Sequence, residues 1–214
     1  MTELQALLGN LKHDAVQWLT LGELGSLYPG LKGKSKADFS GGNAPFVNYV
    51  DISNNPSLPR DLGARVLVSS GENQNAISFG DLLFTGSSED KEGVGLTSEV
   101  EYEPHEKTYL NSFCFGWRPN PGTFAPGFLK HLFRSRSIRQ SVIACSNGVT
   151  RINISKKLLL RIPLPIPEVG IQQKIVSVLN SFTELEAELE AELEARRQQY
   201  EHYRNSLLEF QQDK

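Results

Sequence analysis

Cysteine is scarce in this chain: Cys114 and Cys145 are the only two. Two cannot build the disulfide framework of a small secreted domain, and no CxxC spacing is present for zinc. Both read as small buried hydrophobes in a reducing cytoplasm. Long apolar runs are also missing; none approaches the ~20 residues that a membrane helix needs. Residues 1–11 show no basic start followed by an apolar block, so no secretory signal is expected. The four histidines, His13, His105, His131 and His202, lack metal-ligand spacing. There is no P-loop, GxSxG or HExxH, and Gly93-Val-Gly95 sits in a charged loop rather than after a strand. Nothing nominates a catalytic residue or a metal site. What remains is a chain with 39% hydrophobic and 22% charged residues, enough to bury a core.

Charge is unevenly spread. Residues 1–170 hold 17 Lys and Arg against 16 Asp and Glu, whereas residues 171–214 hold 5 against 9. Between Lys107 and Pro167 there is no acidic residue. That stretch carries Lys107, Arg118, Lys130, Arg134, Arg136, Arg139, Arg151, Lys156, Lys157 and Arg161. A solvated face normally mixes both signs to limit self-repulsion, so a block of one sign points to a surface that meets a polyanion. The competing reading is that acids elsewhere in the chain compensate these cations in space. Two clusters are candidates for contact with such a polyanion. Lys32, Lys34 and Lys36 lie in a glycine-flanked loop; Arg134, Arg136, Arg139, Asn147 and Arg151 lie in the acid-free block. Where the polyanion is a nucleic acid, Arg and Asn read guanine and adenine edges bidentately, while Lys more often holds phosphate; Lys156 and Lys157 are read as phosphate contacts or as simply solvated.

The chain divides by composition. All 18 glycines and all 11 prolines fall within residues 1–170. Residues 2–11 have helical apolar spacing. Residues 44–51, 64–69, 76–84 and 109–117 are short runs rich in Val, Ile, Phe and Tyr with turn residues at their ends, which predicts strands. Pro126 at a first helical position predicts a helix through Phe128, Leu129, Leu132 and Phe133. Ile138, Val142 and Ile143 extend it or form another. Pro163, Pro165 and Pro167 make a stiff extended exit. The fold class is therefore α+β: a small β-rich domain over residues 1–168, then a long helix over 169–214.

That helix has an apolar seam. Ile171, Ile175, Val178, Phe182, Leu185, Leu189, Leu193, Tyr200, Tyr203, Leu207 and Phe210 recur in steps of three and four, with Arg196 in one slot. A stutter coincides with the repeated Glu-Leu-Glu-Ala units at Glu184, Glu188 and Glu192. At about 1.5 Å per residue the rod is roughly 65 Å long, more than the domain's own core requires. Glutamates crowd residues 184–194, and Arg196, Arg197 and Arg204 follow. An antiparallel pair of copies lays acid along base, which predicts a homodimeric antiparallel coiled coil through Ile175, Val178, Phe182, Leu185, Leu189, Leu193, Tyr200, Tyr203 and Leu207. The competing reading is that these charges make only weak i,i+4 contacts on a solvated face.

Several motifs then resemble one family in order and spacing. They are Trp18-Leu-Thr-Leu-Gly-Glu-Leu24, Gly80-Asp-Leu-Leu-Phe-Thr85, Asn147-Gly-Val-Thr-Arg151 with Ile154-Ser155, and Arg161-Ile-Pro-Leu-Pro165. Gln172-Gln-Lys-Ile-Val176, Phe182-Thr-Glu-Leu185, the four-residue repeats and the segment from Arg196 to Leu208 follow. Together they resemble the DNA-specificity subunit of type I restriction-modification systems, in a half-length form with one target recognition domain and one conserved helix. Glu168 and Gly170 depart from the family's pattern before the helix. The resemblance implies a non-catalytic chain that reads one half of a bipartite site on double-stranded DNA. It implies methylation subunits and a motor-nuclease subunit as partners, which would carry S-adenosylmethionine, ATP and Mg. It implies a cytoplasmic protein without membrane partners. A dimeric scaffold that binds no DNA, and the specificity chain of a fused nuclease-methylase, are the alternatives.

Overall fold

The start of the domain and its proline-rich exit meet as one ribbon. In the computed structural model, which describes residues 16–209, strand β1 (Gln17–Thr20) pairs antiparallel with β12 (Pro163–Ile166), Leu19 opposite Leu164. A two-stranded ribbon has only edges, so prolines that lack an N–H are tolerated there. The stiff extended exit is thus a paired strand. Thr20 then caps the short helix α1 (Leu21–Leu24) in a reciprocal box with Glu23, and Leu21 and Leu24 turn into the core. The helix expected over residues 2–11 lies outside the described residues, as does Phe210.

The central sheet has the order β2 (Gly25–Pro29), β9 (Cys114–Pro119), β5 (Leu82–Thr85), β7 (Thr97–Glu99), all antiparallel. Strand β5 is inaccessible along its whole length. Its side chains alternate, and both faces are covered. Leu82 and Phe84 join Phe115, Trp117 and Phe133 on one side; Leu83 joins Val47, Ile52, Val100 and Leu110 on the other. Phe84 stacks on Phe115 with ring centres 5.0 Å apart. Burying one such side chain stabilises by roughly 1.5–3 kcal/mol. Cys114 and Cys145 are buried and unpaired, and burial pushes the Cys114 thiol up to about 12, which makes it an inert hydrophobe.

A second sheet has the order β4 (Arg65–Val66), β3 (Ala44–Val47), β8 (Tyr109–Leu110), with β3 and β8 parallel. The sequence predicts strand through residue 51, but β3 stops at Val47. Asn48 caps helix α2 (Tyr49–Asn54): its Oδ1 accepts from the Asp51 N–H at 3.0 Å, and Asp51 returns the bond at 2.8 Å. A local capping box outweighs the apolar run. Two further helices, α3 (Phe128–Arg134) and α4 (Arg136–Ala144), are separated by extended Ser135. Helix α3 begins two residues after Pro126, behind Gly127. Strands β10 (Ser146–Asn147) and β11 (Ile152–Ile154) form a hairpin against β6 (Ser87–Ser88), and helix α5 (Lys156–Leu159) follows.

The last element is helix α6 (Val169–Leu208), 40 residues and about 60 Å long. Its opening turns dock on α3. Gln172 is fully buried: its Oε1 accepts from the Ala125 N–H at 2.8 Å, and its Nε2 donates to the carbonyls of Pro167 (2.8 Å) and Thr123 (3.1 Å). His131 Nε2 and Asn180 Oδ1 meet at 2.9 Å. From Ser181 to Glu209 every residue is exposed. The architecture is the expected α+β arrangement, a β-rich body followed by a long helix.

Candidate nucleic-acid interface

The fold sorts the basic residues into engaged and available ones. Lys34 is engaged: its side chain is 4% exposed, and its ammonium donates to Glu72 and to the Leu67 carbonyl, each at 2.6 Å. With further hydrogen bonds from Gln74 and the Ser69 N–H, this holds the Glu72 carboxyl down to about 2. Arg134 is likewise internal, donating to the carbonyls of Thr97 (2.9 Å), Ile52 and Ser53. Arg139 donates to the Glu92 carbonyl at 2.6 Å. Burial lowers the pKa of both guanidinium groups. Lys34, Arg134 and Arg139 are therefore corrected from DNA contacts to struts, Lys34 and Arg139 onto loops and Arg134 onto α2 and β7. Arg118 and Lys130 have carboxylate partners in Asp81 and Glu101. The compensation of cations by distant acids thus holds for part of the block.

Lys32, Lys36, Arg136, Asn147, Arg151, Lys156 and Lys157 are exposed. Of these, Arg151 and Lys156 line an open cleft, and Lys32 lies near Lys156. The hairpin of β10 and β11 presents Arg151. Gly148 in that turn has φ +114°, and a Cβ there would collide with the Arg151 carbonyl, so only glycine fits. The Arg151 Nη2 and Nε donate to Ser87 Oγ at 3.1 and 3.3 Å. Its guanidinium carbon lies 4.6 Å from the centre of the Phe113 ring. Lys156, at the start of α5, places its ammonium 5.0 Å over Phe115. Burial, and then the nearby charge of Lys32, lower the Lys156 pKa. The cleft, about 420 Å³, is lined by Ser87, Ser112, Phe113, Arg151, Asn153 and Lys156. Lys36, Arg136, Asn147 and Lys157 are exposed and do not line this cleft.

Phe113 is the residue that sequence reasoning missed. It is 57% exposed, although it falls inside the run predicted as one strand. The run breaks because the Asn111 side chain accepts from the Phe113 N–H at 2.9 Å and folds a turn. The Asn111-Ser112 pair carried that signal. The Phe113 carbonyl accepts from the Gly86 N–H at 2.9 Å, and a Cβ on Gly86 would stand 2.5 Å from the same oxygen. The close approach seats the aromatic turn next to Ser87 of β6, the residue that Arg151 hydrogen-bonds. Such a surface, with fixed cations around an aromatic and no carboxylate among them, suits a phosphodiester chain and the bases it carries. Among the described residues no cluster of His, Cys, Asp and Glu has the makings of a metal site, and no helix is long and apolar enough to cross a membrane.

Residues 14–195 match the family described as "Type I restriction modification DNA specificity domain". The chain is 28% identical over 216 residues to the type I restriction enzyme EcoR124I/EcoR124II specificity subunit of Escherichia coli, an alignment covering 94% of this chain and 50% of that protein. Similar solved structures include the type I restriction-modification S subunit from M. genitalium, at 16% identity, TM-score 0.55, covering 92% of this chain and 48% of that one. The HsdS subunit from Thermoanaerobacter tengcongensis, at 19% identity, has TM-score 0.59 over 88% of this chain and 44% of that one. A chain from a structure concerning complex assembly and conformational transition of the type I R-M system, also 19% identical, gives TM-score 0.62 over 92% and 49%. This chain spans about half the length of the relatives it matches.

Proposed function

The chain belongs to the type I restriction modification DNA specificity domain family, and from that premise we propose that it selects the DNA site at which partner subunits methylate adenine or cut. One observation carries the details of this reading. Phe182, Leu185, Leu189, Leu193, Tyr200, Tyr203 and Leu207 are all more than half exposed along one helix. An apolar stripe of this length needs a covering helix. Ile175 and Val178, nearer the body, are half-buried beside α3 and lie at the base of the seam.

A second copy of the chain fits the stripe. Set antiparallel, the glutamates of residues 184–194 in one helix run beside Arg196, Arg197 and Arg204 of the other. The pair carries two identical recognition domains related by a twofold axis, so the DNA site is bipartite and palindromic. A rigid strut fixes the gap, and half-sites read from one side of B-DNA lie about one turn, ~34 Å, apart. Methylation subunits and a motor-nuclease subunit bind this frame in the cytoplasm and supply S-adenosylmethionine, ATP and Mg. The specificity chain itself catalyses nothing.

The test is per-strand methylation mapping in cells that express the chain with its cognate methylation subunit. The expected result is methyladenine in two inverted, identical half-sites at a fixed separation. Two unlike half-sites would overturn the homodimer, and unselective methylation would overturn the recognition role.

A further inference from the structure

Among the exposed cations, Arg151 is set apart by how it is held. Lys32, Lys36 and Lys157 end flexible stems. Arg151 instead starts from a hairpin turn that admits only glycine at residue 148, rests its guanidinium on the Phe113 ring at 4.6 Å, and hydrogen-bonds Ser87 Oγ through Nε and Nη2. Both supports are neutral. An aromatic face and a hydroxyl orient the group without cancelling its charge, whereas Asp81 neutralises Arg118 and Glu101 neutralises Lys130. No carboxylate pairs with Arg151 among the described residues. Ser87 occupies one N–H of Nη2, which leaves the other and both of Nη1 free.

This arrangement has physical consequences. A guanidinium fixed before binding loses little side-chain freedom when it binds. Its end-on fork matches the O6 and N7 acceptors of guanine in the major groove. Phe113 keeps more than half of its surface in water, and the ring holds Arg151 in place. It is itself held by Asn111 and Gly86. Lys156 lines the cleft and Lys32 lies near Lys156, both as point charges suited to phosphate.

We propose that Arg151 reads a guanine edge, that Phe113 and Ser87 are its positioning residues, and that Lys32 and Lys156 grip the phosphates beside that base. The inference rests on the reading that this chain recognises duplex DNA.

The experiment selects binding sites for the full-length chain from a duplex library with a randomised centre, in parallel for wild type and variants of equal urea midpoint. Wild type is expected to enrich a site with a guanine preference in each half. Arg151→Ala is expected to lose that preference by about 5- to 150-fold at the one position and keep the others. Arg151→Lys, which retains the stem and the charge, does not restore it, and it decides the matter if the alanine variant does not fold. Phe113→Ala weakens the same position, and the double variant is no worse there than Arg151→Ala alone. Lys156→Ala and Lys32→Ala weaken all sequences by a similar factor. If Arg151→Ala and Arg151→Lys keep every base preference of the wild type, with or without uniform weakening, the assignment is overturned. If wild type enriches no sequence, the DNA-recognition reading itself fails, and Arg151 with it.

Discussion

The buried carboxylate of Asp81 grips Arg118 at two points, Nε to Oδ1 at 2.8 Å and Nη2 to Oδ2 at 2.7 Å. Tyr28 Oη and the Ser78 N–H also donate to Asp81 Oδ2, at 2.6 and 2.8 Å. The pair fastens β2, β5 and β9 at one corner. Arg118→Ala leaves a carboxylate buried without its cation and is expected to cost about 3–5 kcal/mol at pH 7. Urea unfolding of both proteins at pH 7 checks this; an unchanged midpoint would contradict it.

Glu99 gives the wild-type protein a pH dependence of its own. It is 2% exposed and caps α3, accepting from the N–H groups of Gly127 and Lys130 at 2.8 Å each. Burial pushes its carboxyl up to about 7, against the lowering effect of those two bonds. A raised folded-state pKa means stability that is complete below the unfolded value of about 4.3 and is lost as pH rises through about 7. The change across that window is on the order of 3 kcal/mol. In Glu99→Gln this slope is expected to flatten, as read by melting temperature between pH 4.5 and 8.

Gly148 holds the hairpin that presents Arg151. Its positive φ and the crowding of the Arg151 carbonyl make Gly148→Ala strained, at a cost of about 1–3 kcal/mol. The variant is expected to remain folded and to lose DNA affinity. A DNA affinity unchanged in titration would show that the turn does not set Arg151.

Leu189 lies mid-seam and is 66% exposed in the single chain. In a twofold pair Leu189→Glu buries two charges at once, and each lost leucine removes roughly 1.5–3 kcal/mol. The dimer dissociation constant is expected to rise at least 100-fold. Light scattering after size exclusion reads this directly. A wild-type chain that stays monomeric at micromolar concentration would sink the pairing.

Salt dependence measures the phosphate grips. Two per chain, Lys32 and Lys156, make four per dimer, so the slope of log K against log salt is expected near about −4. Lys32→Ala removes two contacts from the dimer and makes the slope shallower by about 2.

The long helix was legible because its signal is local. Residues 171–214 contain no Gly or Pro and repeat apolar residues in steps of three and four, and Val169–Leu208 is one helix. Strand content was legible for a similar reason, but strand ends were not: Asn48 and Asn111 cut two apolar runs with side-chain hydrogen bonds. The basic block was visible as composition, while the state of each cation was not. Lys34 meets Glu72 from 38 residues away, and Arg139 meets the Glu92 carbonyl from 47.

By itself the sequence determined the division into a β-rich body and a rod, the apolar stripe along that rod and the excess of cations in one stretch. These depend on periodicity and composition, which each residue carries wherever it lies. The tertiary structure alone decided that Lys34, Arg134 and Arg139 are struts, and that Arg151 and Lys156 share a cleft with Phe113. Hydrogen bonds and ion pairs depend on distance in space, and only the closed chain brings those partners within reach.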